Sequence, residues 1–317
     1  MSPATDRILT IVLLLLLPVL SLSTGNTFYK SMLVFGIINA IAAIGLCMML
    51  GFAGQISLGQ SAFFGLGAYG AAVIANKTGI EPVLAIFAGA LIAMAAGWLI
   101  SRPLSRLHDH YLAMATLAFG IILYILFANV RSLTGGLDPG INIGRLTLFG
   151  LDLSSTASFF WAAWVMLLLT VFIATNVSSS KLGRSLLAMK MAPLAAASVG
   201  IDTLRAKAFV FAIGALFTGL AGGLYAYYAR SFNASAFGIG YAIELLMMVV
   251  IGSLNRVSGA IVGAFIITVL PVLFDQFEDY KTLIFGITMV LIMKYMPSGL
   301  VDAVFTFIGR LRRRVVS

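Results

Sequence analysis

Reactive and ionisable side chains are scarce in this chain. Cys47 is the one cysteine, so neither an internal disulfide nor a cysteine-based metal cluster can form. His108 and His110 are the two histidines and stand side by side in one loop, which leaves a histidine-centred catalytic triad without support. The charged residues amount to 10% of the chain, and nowhere do they gather into a polar stretch long enough for a soluble domain of ordinary size. Within the apolar segments ionisable groups are nearly absent, Glu244 near an outer helix end being one of the few. Ion-coupled transport and membrane-embedded acid–base catalysis both need such groups at depth, and both readings are disfavoured accordingly.

What the chain has instead is apolar surface. Of its 317 residues 61% are hydrophobic, and the mean hydropathy is +1.07. That is more than a soluble core encloses, and it runs from the first residues to the last few, so residues 1–317 read as a single integral membrane domain. Crossing about 30 Å of hydrocarbon as a helix takes roughly 20 residues. Suitable runs lie near 8–23, 31–50, 58–76, 83–101, 111–130, 158–176, 208–229, 236–252, 257–274 and 282–297. The expected fold is an all-α polytopic bundle of about ten membrane segments, some of them interrupted or re-entrant. The first run follows Arg7 and is read as a retained helix, with a cleavable signal peptide as the alternative.

The net charge of +9 is a statement about sidedness here, not about nucleic acid. With the N-terminus in the cytoplasm, Arg102, Arg106, Lys181, Arg184, Lys190, Arg205, Lys207, Arg256 and the tail GRLRRR all fall inside. The other face receives Lys30, Lys77, Arg131, Arg145, Arg230 and Lys281, accompanied by Glu81, Asp138, Glu278 and Asp279. The C-terminus is then cytoplasmic as well. Two loops are long. Residues 131–157, rich in Gly, Asp and Asn, lie outside and are expected to form a folded cap. Residues 177–207 lie inside and contain runs of good helix formers, LLAMKM and LAAAS, broken by Pro193. Short surface helices are expected there, resting on lipid headgroups or on a partner.

Residues 54–61, GQISLGQS, follow the spacing of a phosphate-binding loop, G-x-x-x-x-G-K-[ST], with Gln60 where the lysine belongs. Apolar membrane runs stand on both sides in place of the strand such a loop requires, and ATP binding is disfavoured on both counts. Gly51, Gly54 and Gly59 instead make a continuous helix costly, at about 1 kcal/mol each relative to alanine. Irregular backbone at membrane depth persists where protein or a water-filled cavity satisfies it, so the segment points to a lined path. Ser57, Ser61, Gly65 and Tyr69 recur at steps of four and are expected on one helical face, either for tight packing or toward a substrate. VVIGSLNRVSGAIVGAF, 249–265, echoes MLGFAGQISLGQSAFF, 49–64, and paired interrupted segments mark transport sites. A polar solute's path is therefore sought at Gln55, Ser57, Gln60 and Ser61, then at Asn39, Ser253, Asn255 and Ser258. For Asn39 an interhelical hydrogen bond is the competing role. Gly214, Thr218 and Gly222, with Ala215, Gly219 and Gly223 alongside, read as a close helix contact. His108–Asp109–His110 is read as solvated, and no metal site is expected.

Several motifs in order, GFAGQISLGQSAFFGLGAY, HDHYLAMATLAFG, SLTGG, GRSLLAMKMAPLAAASVGID, AGGLYAYY, IELLMMVVIGSL and PSGL, make the chain resemble the permease subunits of branched-chain amino acid ABC importers, the LivH/LivM family, from about residue 30 to 300. The similarity is closer to the LivM type; urea and amide importers are also related. The resemblance implies a bacterial inner-membrane importer in which this chain pairs with a homologous LivH-type permease. Two cytoplasmic ATPase subunits would carry ATP and magnesium, with no cofactor on this chain, and a periplasmic binding protein would deliver the substrate. Residues 177–207 become the coupling loop, with Arg184, Lys190, Pro193 and Gly200 as its contacts. Related permeases carry acidic residues around the positions of Met191, Pro193 and Ala197, and this chain does not. Its ATPase contact is expected to be more apolar, or to use Lys190 and Arg184.

Overall fold

The computed structural model describes residues 3–105, 107, 109–148, 151–273, 283, 286, 287, 290, 294 and 299–303. Helix α1 (Pro3–Ser23) leads to α2 (Thr27–Cys47), which widens into a π-helical turn at Met48–Phe52. After an irregular segment come α3 (Gln60–Thr78), α4 (Pro82–Leu104), α5 (Asp109–Asn129) and the single turn α6 (Arg131–Thr134). Three short strands follow, β1 (Ile141–Asn142), β2 (Thr147–Leu148) and β3 (Leu151–Asp152). The second half holds α7 (Thr156–Ser179), α8 (Lys181–Met191), α9 (Pro193–Ser198), α10 (Thr203–Ala229), β4 (Ser231–Phe232), α11 (Ile239–Gly252) and α12 (Val257–Leu273).

The helix starts are written locally. Asn26, Ser155, Ser180 and Asp202 each accept a backbone N–H of the first turn they precede, on α2, α7, α8 and α10. Pro82 and Pro193 open α4 and α9, where a missing N–H costs nothing. Gly79, at φ +64°, ends α3 in the left-handed conformation.

Helix α10 is the centre of the bundle, packed on α2, α3 and α4. Its two small-residue stripes make the expected close contacts. Gly214 lies against Gly45 and Met49 of α2 and its π turn, while Gly222 abuts the backbone of α3 at Phe64. Gly219 of the second stripe faces Ala90 and Ala93 of α4. A Cβ on Gly67 of α3 would collide with the carbonyl of Gly219, so here glycine is fixed by the approach of two backbones.

Six helical segments are long and apolar enough to cross a membrane: Asp6–Ser23, Thr27–Phe52, Pro82–Leu104, His110–Asn129, Thr156–Ser179 and Thr203–Ala229. The count of about ten is not reached among the described residues. Among the described residues the runs expected at 236–252 and 257–274 fold as α11 and α12, of 14 and 17 residues, and α3 carries too many polar residues and glycines to qualify by composition. Most of 282–297 lies outside the described residues, as do Arg106, His108, Glu278, Asp279, Lys281 and the GRLRRR tail. At one end of the bundle β1 pairs antiparallel with β4 and β2 with β3, so 131–148 and 151–155 fold with 230–237 over the helix ends. Hydrogen bonds from the Ser154 hydroxyl and N–H, with help from Arg145 and Arg230, hold the Asp152 carboxyl below its usual range in this cap.

Candidate functional site: two helix breaks held together

The α2–α3 connection is irregular for a reason legible in its glycines. Past the π turn, Gly54 takes φ +68°, a conformation other residues avoid, and the chain follows no regular structure up to Gly59. Residues of α5 brace it: Leu58 N–H donates to Thr116 Oγ1 at 3.0 Å, and a Cβ on Gly59 would stand 2.6 Å from the Thr116 carbonyl. The segment is buried, Gln55 at 3% exposure and Ser57 at 1%. Gln55 Oε1 and Ser57 Oγ nevertheless have no hydrogen-bond partner. Gln60, at the start of α3, differs: its Nε2 donates to Met49 Sδ and its Oε1 accepts from Thr218 Oγ1 at 2.7 Å.

A second break separates α11 from α12 at residues 253–256. Ser253 Oγ donates to Asp302 Oδ2 at 2.7 Å, and Arg256 Nε pairs with Asp302 Oδ1 at 2.5 Å. Ser258 Oγ donates to Asp6 Oδ1 of α1. The two breaks touch. Cys47 Sγ lies 3.5 Å from the carbonyls of both Leu254 and Arg256, and a Cβ on Gly51 would collide with the Leu254 carbonyl. From α8, Lys190 Nζ reaches into the junction, donating to Gly51 O at 2.6 Å and Asn255 Oδ1 at 2.8 Å. Burial holds its ammonium below the usual lysine range, with no carboxylate in ion-pair range among the described residues.

A family model described as branched-chain amino acid transport system / permease component matches residues 28–293. The chain belongs to this permease family. The permease is 31% identical over 286 residues to the high-affinity branched-chain amino acid transport system permease protein LivM of Escherichia coli K12, an alignment covering 83% of this chain and 67% of that one. It is 28% identical to the LivH permease of the same organism, over 82% and 90% of the two chains. A probable LivM permease of Methanocaldococcus jannaschii is 24% identical over 75% and 77%. No solved structure matches the permease at a significant level.

The permease brings together Gln55, Ser57, Gln60 and Ser61 on the first break and Ser253, Asn255 and Ser258 on or beside the second. Asn39 stands apart, donating to Thr268 Oγ1 of α12 at 2.9 Å and accepting from Tyr241 of α11, an interhelical arrangement. Ser57 is not on the face of Ser61, Gly65 and Tyr69, because α3 begins only at Gln60 once the glycines have broken the helix. Of the coupling candidates, Arg184 is exposed and reaches only the Ser179 carbonyl, Pro193 opens α9, and Gly200 sits at φ +84° with open space around it. Lys190 is exposed along its length and lays its ammonium on Gly51 and Asn255 at the surface of the junction. The outer face of α8–α9 is apolar, with Leu187, Met191, Leu194 and Val199 all exposed, Leu194 at 89%. Sequence reading missed Thr116, Thr218, Asp6 and Asp302 as partners. Thr218 had the signal of standing among glycines on a tight stripe; the two aspartates, at the chain's two ends, had none.

Proposed function

We propose that this chain is one permease subunit of an ABC importer in a bacterial inner membrane and lines the route taken by branched-chain amino acids. A periplasmic binding protein delivers leucine, isoleucine or valine, a LivH-type permease completes the route, and two cytoplasmic ATPases drive it with ATP and magnesium that this chain does not bind. The N-terminus and residues 177–207 are assigned to the cytoplasm, and 131–157 to the periplasm. Asp6, Ser258, Asn255 and Lys190 gather at one end of the bundle, which fits one cytoplasmic side for all four.

One observation carries the pathway reading: Gln55 Oε1 and Ser57 Oγ are buried without partners on a glycine-broken segment. Leaving a buried polar group unpaired costs about 1–3 kcal/mol. Such a cost is retained where the group meets something else in another state, and a zwitterion crossing the membrane needs passing polar contacts of this kind. The exposed apolar edge of α8–α9, lacking acidic residues, is the surface offered to an ATPase, consistent with Leu187, Met191 and Leu194 facing out. The test is uptake of radiolabelled leucine, isoleucine, valine and urea by cells deleted for this chain and then supplied with it. Restored uptake of the three amino acids, dependent on co-expressed ATPases and binding protein, is expected. Restored urea uptake alone, or amino-acid uptake without the ATPases, refutes the proposal.

A further inference from the structure

We infer that Lys190 is a tethered cation that clasps the two helix breaks, so that shifting α8 opens the junction between them. In transporters with broken helices, the carbonyls freed by unwinding hold a metal ion. Here the freed carbonyl of Gly51 and the side-chain carbonyl of Asn255 hold an ammonium group, 2.6 and 2.8 Å away, which the permease supplies from α8. Both partners are neutral, and no described carboxylate pairs with the ammonium. The surroundings are shaped to that side chain. A Cβ on Gly54 would stand 3.0 Å from Lys190 Cγ, so glycine at 54 serves both the turn and the lysine stem.

The arrangement makes α8 a handle. Leu186 and Met189 seat its inner face, while Leu187 and Met191 face out where a partner pushes. On its flank an open cleft of about 740 Å³ is lined by Leu182 and Ser185 of α8, Trp98 and Arg102 of α4 and Phe209 of α10, which leaves that edge of α8 room to shift. The inference rests on the proposed function only for the identity of what moves α8.

Cys47 provides a reporter, since it is the chain's one cysteine, is fully buried, and lies against both breaks. Its alkylation by N-ethylmaleimide is measured in membranes holding the complete transporter, by mass spectrometry of the Cys47 peptide. Lys190→Met is expected to raise the rate by about tenfold, because the junction opens locally more often. Asn255→Ala, acting from the other side of the clasp, raises it in the same direction and covers the case in which Lys190→Met does not assemble. Lys181→Met, an exposed charge at the start of the same helix, leaves it unchanged. Wild-type labelling in both Lys190→Met and Asn255→Ala overturns the inference, as does equal labelling of Lys181→Met and Lys190→Met. Leucine uptake by the wild type, measured in parallel, separates the outcomes: its absence refutes the proposed function and leaves the labelling comparison standing.

Discussion

Gln55 and Gln60 have the same side chain five residues apart, and their surroundings oppose them. Gln60 is wholly buried and engaged at both ends of its amide by Met49 and Thr218, whereas Gln55 is buried with its oxygen unpaired. Sequence reading put both in one class, since residue type and spacing reveal that a polar group interrupts an apolar run but not what it meets. The partner of Gln60 lies 158 residues away on another helix. Gln60→Leu is therefore expected to lower stability by about 1 kcal/mol, the net worth of a buried hydrogen bond, since the Thr218 hydroxyl loses Gln60 and keeps only the Gly214 carbonyl of its own helix. Thr218→Val in the same background is expected to add little further loss, since its contact with Gln60 is already gone. The midpoint of thermal unfolding of the detergent-purified chain reads both effects, and an unchanged midpoint in Gln60→Leu contradicts the assignment.

At the scale of elements, the glycines were the most informative letters. Gly51, Gly54 and Gly59 announce the first break in the sequence itself, and GSLNRVSG the second. That the two breaks press on each other was not legible, because contact between segments about 200 residues apart leaves no local pattern. The stripe on α10 was legible, and so was its consequence, close packing. Gly67→Val of α3 is expected to prevent proper seating of α3 on α10, since the added branches meet the Gly219 backbone, which cannot rotate away. Overpacking of this kind costs about 1–3 kcal/mol or more, and a reduced yield of monodisperse protein with a lowered unfolding midpoint is the expected result. A wild-type midpoint contradicts the contact. Hydropathy finds stretches that belong in lipid, but a window of apolar residues does not reveal the break at 253–256 between α11 and α12.

For the molecule as a whole, a long apolar bundle is closed at one end by a small β-paired cap and at the other by the meeting of two broken helices with α8. The family relation places such a bundle among permeases of branched-chain amino acid transport systems. The central claim is that the first break carries polar groups for a passing solute, and Gln55→Leu/Ser57→Ala in the assembled transporter tests it most directly. Stability of the double variant is predicted to be equal to or above that of the wild type, because two stranded groups are removed. Leucine uptake at equal membrane abundance is predicted to fall by about tenfold or more, the loss of about 1.4 kcal/mol of contact with the solute. Undiminished uptake by a stably assembled double variant would contradict the claim.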